Sequence, residues 1–470
     1  MLTIVKSFRA ATVKCLLGIV AAAVLSAQTD VDRERRLADL ERKMRLLDPS
    51  FLSSKGVSVD ARLAELELKI DGLLATGQKA APQLAAGVQS AQVSAPLLPA
   101  SPSANQAPLQ TLSVTGDYQK SGEGETRLPV AGYMDAHFNK DAGQPGRADF
   151  HRFVLLFGHS FSERIKFWSE LEVEHALVEG GEAKGEVALE QAYLDFLVKP
   201  WMNFRGGMVL SPVGIINERH EPPSFNGVER PFVETLIIPT TWREMGVGLT
   251  GDLGRGFRYR TYMISALDPT GFSAEEGIRN GRSGGFNAPF RNPAAVGRLE
   301  FAGFRKLTLG LSGYSGVSSS DLVKITPRVS IASFDGRYSL GRVDFRGLFA
   351  KSWITKTRDL NSALERFSGF SPNIAKQLLG YYVEPALHVF PRRLRSDLIL
   401  FTRYEKYNTQ HRMAGGLQPL PEFDRSSVIT GVTFKPNADV AIKFDYVFNR
   451  NANSVIRPVN AMNLGLGWWF

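Results

Sequence analysis

From about residue 128 to Phe470 the apolar residues recur at every second position, and that period decides what the chain can become. The segment Ile165-Lys166-Phe167-Trp168-Ser169-Glu170-Leu171-Glu172-Val173-Glu174 shows it plainly. Ile, Phe, Ser, Leu and Val fall on one side; Lys, Trp and the glutamates fall on the other. Successive side chains of a strand point to opposite faces, so the segment has one apolar face and one charged face. A soluble sandwich would hide the apolar face against a second sheet. A transmembrane barrel turns it to lipid and its charged face to a wet lumen. Beyond residue 27 there is no apolar run of about 20 residues, as a membrane-crossing helix requires.

Sixteen such segments can be counted, at about 128–139, 151–160, 165–176, 187–198, 203–210, 243–251, 256–266, 293–302, 306–315, 328–335, 341–353, 379–389, 395–407, 425–435, 438–449 and 461–470. An even count is what single-chain bacterial barrels use, and their short turns alternate with long loops. Here 161–164 is short, while 211–242, 267–292, 354–378 and 408–424 are long. In the last segment Met462, Leu464, Leu466, Trp468 and Phe470 share a face, and Asn463, Gly465 and Gly467 share the other. A final strand ending on Trp468 and Phe470 resembles the assembly signal of outer-membrane barrels. The expected fold is therefore all-β: a transmembrane antiparallel β-barrel of about 16 strands over 128–470.

The sequence before it is of another kind. Lys6, Arg9 and Lys14 precede an apolar stretch from Leu16 to Leu25 and the small residues Ser26 and Ala27. That is the layout of a cleaved secretory signal over 1–27, and it places the protein outside the cytoplasm. The lone cysteine, Cys15, lies within that signal, so no disulfide or thiolate chemistry is expected. In 28–76, Leu37, Leu40, Met44 and Leu47, then Leu63, Leu66, Ile70 and Leu73, have coiled-coil spacing. A short parallel trimer or dimer is the preferred reading, with an intramolecular helical hairpin as the alternative. Residues 77–127 begin with an Ala/Pro/Ser-rich run that reads as a semi-extended tether.

The formal charge of +9 falls to +6 without the three cations of the signal. This mild excess is spread out, so no nucleic-acid partner is expected. No catalytic pattern stands out. Gly246-Val247-Gly248-Leu249-Thr250-Gly251 matches a dinucleotide motif but lies in an alternating strand with no helix after it, so no cofactor is expected. The seven histidines show no ligand spacing, and no metal site is expected.

The link 211–242 is more telling. It sets Phe225, Phe232, Leu236, Ile237 and Ile238 among prolines and charges. Such a loop is expected to fold inward and place Arg219, His220, Arg230 and Arg243 at a pore constriction, where charge acts strongly. The alternative is an external loop packed on a neighbouring subunit. On the strand faces assigned to the lumen, Lys166, Arg258, Arg260, Arg298, Arg342, Arg346 and Lys443 stand against Glu170, Glu172, Glu174, Glu300, Asp344 and Asp445. This predicts a mixed, water-filled lumen.

Phe167-Trp168-Ser169-Glu170-Leu171-Glu172, Gln191-Ala192-Tyr193-Leu194-Asp195-Phe196, Arg205-Gly206-Gly207 and Arg230-Pro231-Phe232…Trp242-Arg243-Glu244-Met245-Gly246-Val247 together resemble the phosphate-selective porin family. The resemblance is concentrated in 165–251. It implies a sixteen-stranded, homotrimeric outer-membrane channel, with Arg219, Arg230 and Arg243 as constriction residues. The expected function is passive diffusion of small hydrophilic solutes, leaning towards anions such as phosphate. An anchor that joins outer-membrane lipid to peptidoglycan through a periplasmic helical arm is the alternative.

Overall fold

The computed structural model describes residues 131–175, 186–285, 290–369, 371–391 and 393–470. The expected signal (1–27), helical segment (28–76) and tether (77–127) lie outside them. Sixteen strands are formed among the described residues: β1 (Ala131–Asp141), β2 (Arg147–Ser160), β3 (Ile165–Glu174), β4 (Glu186–Lys199), β5 (Met202–Leu210), β6 (Arg243–Gly254), β7 (Phe257–Ile264), β8 (Ala294–Phe301), β9 (Leu307–Val317), β10 (Arg328–Leu340), β11 (Val343–Ile354), β12 (Gln377–His388), β13 (Asp397–Arg412), β14 (Asp424–Lys435), β15 (Val440–Asn451) and β16 (Ala461–Trp469).

Each strand pairs antiparallel with its sequence neighbours, and β1 pairs with β16, so the sheet closes. Closure runs from Tyr133 opposite Trp469 to Asp141 opposite Ala461. Phe470 lies just past β16, yet its amide donates to Gly132 O at 2.9 Å and its carbonyl accepts from Gly132 N at 3.0 Å. Its ring stacks on Phe153 with centroids 5.9 Å apart. The final aromatic thus completes the seam between the first and last strands. Among the described residues the closed sheet has no free edge, which a barrel in hydrocarbon cannot tolerate.

The alternation acts as the sequence suggested. Phe196, Phe204, Val247, Met263, Leu311, Phe334, Phe349, Val383, Leu400, Phe444, Leu464 and Leu466 lie exposed on the outer surface. Their sequence neighbours turn inward and are buried or half-buried; such a surface suits lipid, not water. The links 161–164, 200–201, 255–256 and 341–342 lie at the barrel end that also holds the start of β1 and the end of β16. The 255–256 link is a left-handed turn, with φ of +78° at Gly254, +54° at Arg255 and +85° at Gly256. The long links gather at the opposite end.

One expectation needs correction, and one long link holds more than a loop. The link 354–378 holds a helix, α1 (Thr357–Ser368), whose Leu360 and Leu364 fall on one buried face. The lumen is also not uniformly wet. The inward faces of β7 to β12 carry Tyr262, Ile264, Val296, Tyr314, Ile331, Leu348, Leu378 and Tyr382, which form one apolar cluster with Val213, Ile216, Phe225, Val233, Ile237, Ile238 and Trp242 of the 211–242 link. The core of this protein therefore sits inside the barrel, on one wall.

Candidate functional site

The 211–242 link folds into the lumen because its apolar side chains find that wall. Each fully buried aliphatic or aromatic side chain contributes about 1.5–3 kcal/mol, which offsets part of the entropy lost in ordering the loop. Asn217 joins the two stems: its Nδ2 donates to Ser211 O at 2.7 Å and Trp242 O at 3.0 Å, and its Oδ1 accepts from Trp242 N at 2.7 Å. A single helical turn, Val233–Ile237, packs on β11, β12 and β13. Glu234 of that turn accepts from Ile215 N, Ile216 N and Tyr382 Oη, each at 2.7 Å. Burial pushes its carboxyl up to about 7, while the donors of Ile216, Tyr382 and Ile215 hold it down.

The tip of the link crosses to the other wall. Val228 N donates to Asp445 Oδ2 at 2.6 Å, and Lys443 Nζ donates to Gly227 O at 2.7 Å. Gly465 and Gly467 of β16 leave room for it. A Cβ on Gly467 would lie 2.4 Å from Pro222 Cβ, and one on Gly465 would lie 3.0 Å from Val228 Cγ1. The two inward glycines of the last strand are thus the seat of the loop.

Above the loop, towards the long-link end, lies a cavity of about 570 Å³. It is lined by Arg152, Arg230, Arg243, Arg279 and Arg282 against Glu172, Glu174 and Glu229. Arg282 donates only to carbonyls among the described residues: Thr240 O at 2.9 Å, Thr241 O at 2.7 Å and Arg279 O at 2.9 Å. Arg279 donates to Thr235 O at 3.3 Å and to Thr240 O. Burial and the neighbouring Arg279, Arg243 and Arg230 push the Arg282 guanidinium down to about 9, still charged at neutral pH. Buried Nε and Nη2 of Arg230 have no hydrogen-bond partner among the described residues. On the other side of the loop a second cavity, of about 360 Å³, is lined by Lys306, Arg337, Arg346 and Lys435 against Asp344 and Glu384. Phe225 borders both.

The four expected constriction residues are therefore divided. Arg230 and Arg243 share the upper cavity. Arg219 lies with Arg258, Arg260 and Arg337 around Glu300, at 4.0, 3.9, 3.8 and 3.9 Å. His220 is 1% exposed and lines neither of these two cavities. Its Nε2 lies 2.7 Å from Glu190 Oε2 and 3.1 Å from Tyr133 Oη, so it anchors the loop to β4 and β1. Burial alone would pull the His220 imidazole down, but Glu190 and Glu170 lift it to about 9.

The expected lumen residues also differ in use. Lys166 donates to Ser160 Oγ at 3.0 Å beside the 161–164 turn. Arg298 is consumed by a buried pair, with Nη1 2.6 Å and Nη2 2.8 Å from the Asp335 carboxylate. Arg260 pairs with Glu218 at 3.0 Å. Arg342 does not face the lumen from a strand; it is an exposed residue of the 341–342 turn and donates to Val389 O at 3.3 Å. Arg346 reaches the loop, donating to Ser224 O at 3.3 Å. Sequence reasoning missed Arg152, Arg279, Arg282, Arg337 and Lys435. Arg279 and Arg282 lie on the 265–293 link, which also packs inward through Ile278, 0% exposed.

These observations define a closed sixteen-stranded antiparallel barrel with an apolar exterior and an arginine-lined, loop-narrowed interior. The chain belongs to one family with an uncharacterized protein of Aquifex aeolicus (strain VF5), to which it is 35% identical over 331 residues, 68% of this chain and 75% of that protein. No protein-family model matches it. Among solved structures it is similar to an anion-selective porin from Comamonas acidovorans (13% identity, TM-score 0.48, 73% of this chain and 98% of that one). It is likewise similar to the outer membrane channel DcaP of Acinetobacter baumannii (10% identity, TM-score 0.48, 73% and 96%).

Proposed function

We propose that this protein is an outer-membrane porin through which small hydrophilic solutes diffuse passively, with a preference for anions such as phosphate. The lipid-suited exterior and closed sheet support the membrane location, and a barrel of sixteen strands is wide enough to hold an aqueous path beside an inward loop. The preference rests on one observation: Arg230 offers two buried donor nitrogens without acceptors, in a cavity where five arginines face three glutamates. An oxyanion passing there supplies the missing acceptors and relieves the mutual repulsion of the guanidiniums. Arginine forks suit planar, bidentate contact with phosphate or carboxylate oxygens. The cationic lining continues below the loop through Arg337, Arg346 and Lys435.

Planar-bilayer recording of the purified protein tests this reading. Discrete conductance steps are expected, and millimolar inorganic phosphate should reduce the chloride current, less so in Arg230→Gln. Absence of steps would sink the porin assignment. Steps insensitive to phosphate would leave a general pore and remove the anion site.

A further inference from the structure

We propose that Asp149, His151 and His175 form a binding site for a divalent late-transition metal ion of the Zn2+ or Cu2+ class, at the long-link mouth of the barrel. One ligand atom from each lies within 4.8 Å of the other two. Asp149 Oδ2 is 2.8 Å from His175 Nδ1 and 3.5 Å from His151 Nδ1.

Strand register builds the cluster. The β1–β2 ladder slips by one residue between Asp135 and His137, and bulges of this kind re-aim side chains at functional sites. As a result His151 and Arg152, adjacent in sequence, both line the upper cavity. His175 follows β3, and its N–H donates to His151 O at 2.8 Å. It holds a left-handed φ of +48°, costly for a residue with a side chain, and that conformation sets its ring beside Asp149.

Asp149 and His175 already face each other at 2.8 Å, and a metal ion would replace the proton between them, while the ring nitrogens of His151 are only loosely held. His151 contacts Asp149 at 3.5 Å and Glu174 at 3.4 Å, both beyond an ordinary hydrogen bond of about 2.7–3.2 Å. If Nδ1 takes a metal, Nε2–H points at Glu174, the carboxylate–histidine–metal arrangement that fixes a ligand's tautomer. His137 stacks on His151 with centroids 4.7 Å apart. Its own nitrogens are held by Asp135 at 3.0 Å and Glu229 at 3.2 Å, so it forms a wall and not a ligand. Two imidazoles and one carboxylate suit zinc or copper, not the oxygen-seeking magnesium or calcium. Bond lengths of about 2.0–2.2 Å place tetrahedral ligands about 3.3 Å apart, within reach of side-chain rotation here. The His175 and Asp149 side chains are 46% and 40% exposed, which leaves a fourth position open to water or to a passing solute.

Calorimetric titration of ZnCl2 into the EDTA-stripped, tag-free full-length protein in detergent tests the proposal. One saturable site per chain is expected, with no matching heat from MgCl2. His151→Ala and His175→Ala should each weaken it at least tenfold, as should the milder Asp149→Asn, while His159→Ala at the opposite mouth should not. Heat-modifiable gel mobility confirms that each variant is a folded barrel. No saturable zinc binding in the wild type, or equal affinity in folded His151→Ala and His175→Ala, would overturn it.

Discussion

The backbone N–H of Val228 donates to the Asp445 carboxylate at 2.6 Å, a contact between residues 217 positions apart that ties the loop tip to the far wall of the barrel. Asp445 is itself held by Asn463 Nδ2 at 2.8 Å, on the strand that closes the sheet. The loop is thus fixed at both ends: by apolar packing near its stems and by charge-assisted hydrogen bonds at its tip.

Asp445→Ala should free the tip. A hydrogen bond to a charged acceptor contributes about 1.5–3 kcal/mol, so the loop should fluctuate while the barrel persists. Single-channel traces should show larger and noisier unit conductance. Traces like the wild type would mean that Lys443 and the glycine seat suffice.

The Arg298–Asp335 pair is 5% and 1% exposed, and its strength lies in not being broken singly. Arg298→Met leaves a buried carboxylate unpaired and should cost about 3–5 kcal/mol. Adding Asp335→Asn should recover part of that loss. Midpoint temperatures of the heat-induced gel shift would measure both. Equal midpoints for wild type and Arg298→Met would show that the pair is solvated.

His220 makes the loop's anchoring depend on pH. Its imidazole is raised from 6.5 to about 9 by Glu190 and Glu170 despite burial. A raised histidine contributes stability that is complete below about 6.5 and is lost as pH rises through about 9. The effect is on the order of 3 kcal/mol at most. Thermal midpoints in detergent should therefore fall between pH 7 and pH 10, and His220→Gln should flatten that fall. A parallel decline in the variant would assign it to other groups.

The barrel itself was legible because period-two alternation reports directly on which face meets lipid, and all sixteen strands lie where that period falls. The site was only partly legible, and for physical reasons. The expectation for β10 ended at 335, yet Gly336 and Arg337 still pair with Leu309 and Thr308, so Arg337 went unseen. Gly465 and Gly467 read only as the face opposite the aromatics, although they are small because Val228 and Pro222 pack there. His220 carries charge in a hydrophilic-looking run, and nothing local reveals that Glu190 waits 2.7 Å away. Asp149, His151 and His175 lack any ligand spacing in sequence; only the slipped β1–β2 register and the β2–β3 pairing bring them together.

The central claim is that arginines gathered by the inward loop set the preference of the pore. The reversal potential in a tenfold KCl gradient tests it most directly, in wild type and in a variant with Arg230, Arg243, Arg279 and Arg282 changed to Gln. The wild type should reverse on the chloride side of zero, and the variant should shift towards zero or beyond with its unit conductance retained. An unchanged reversal potential in the variant, or a wild-type pore that prefers potassium, would contradict the account.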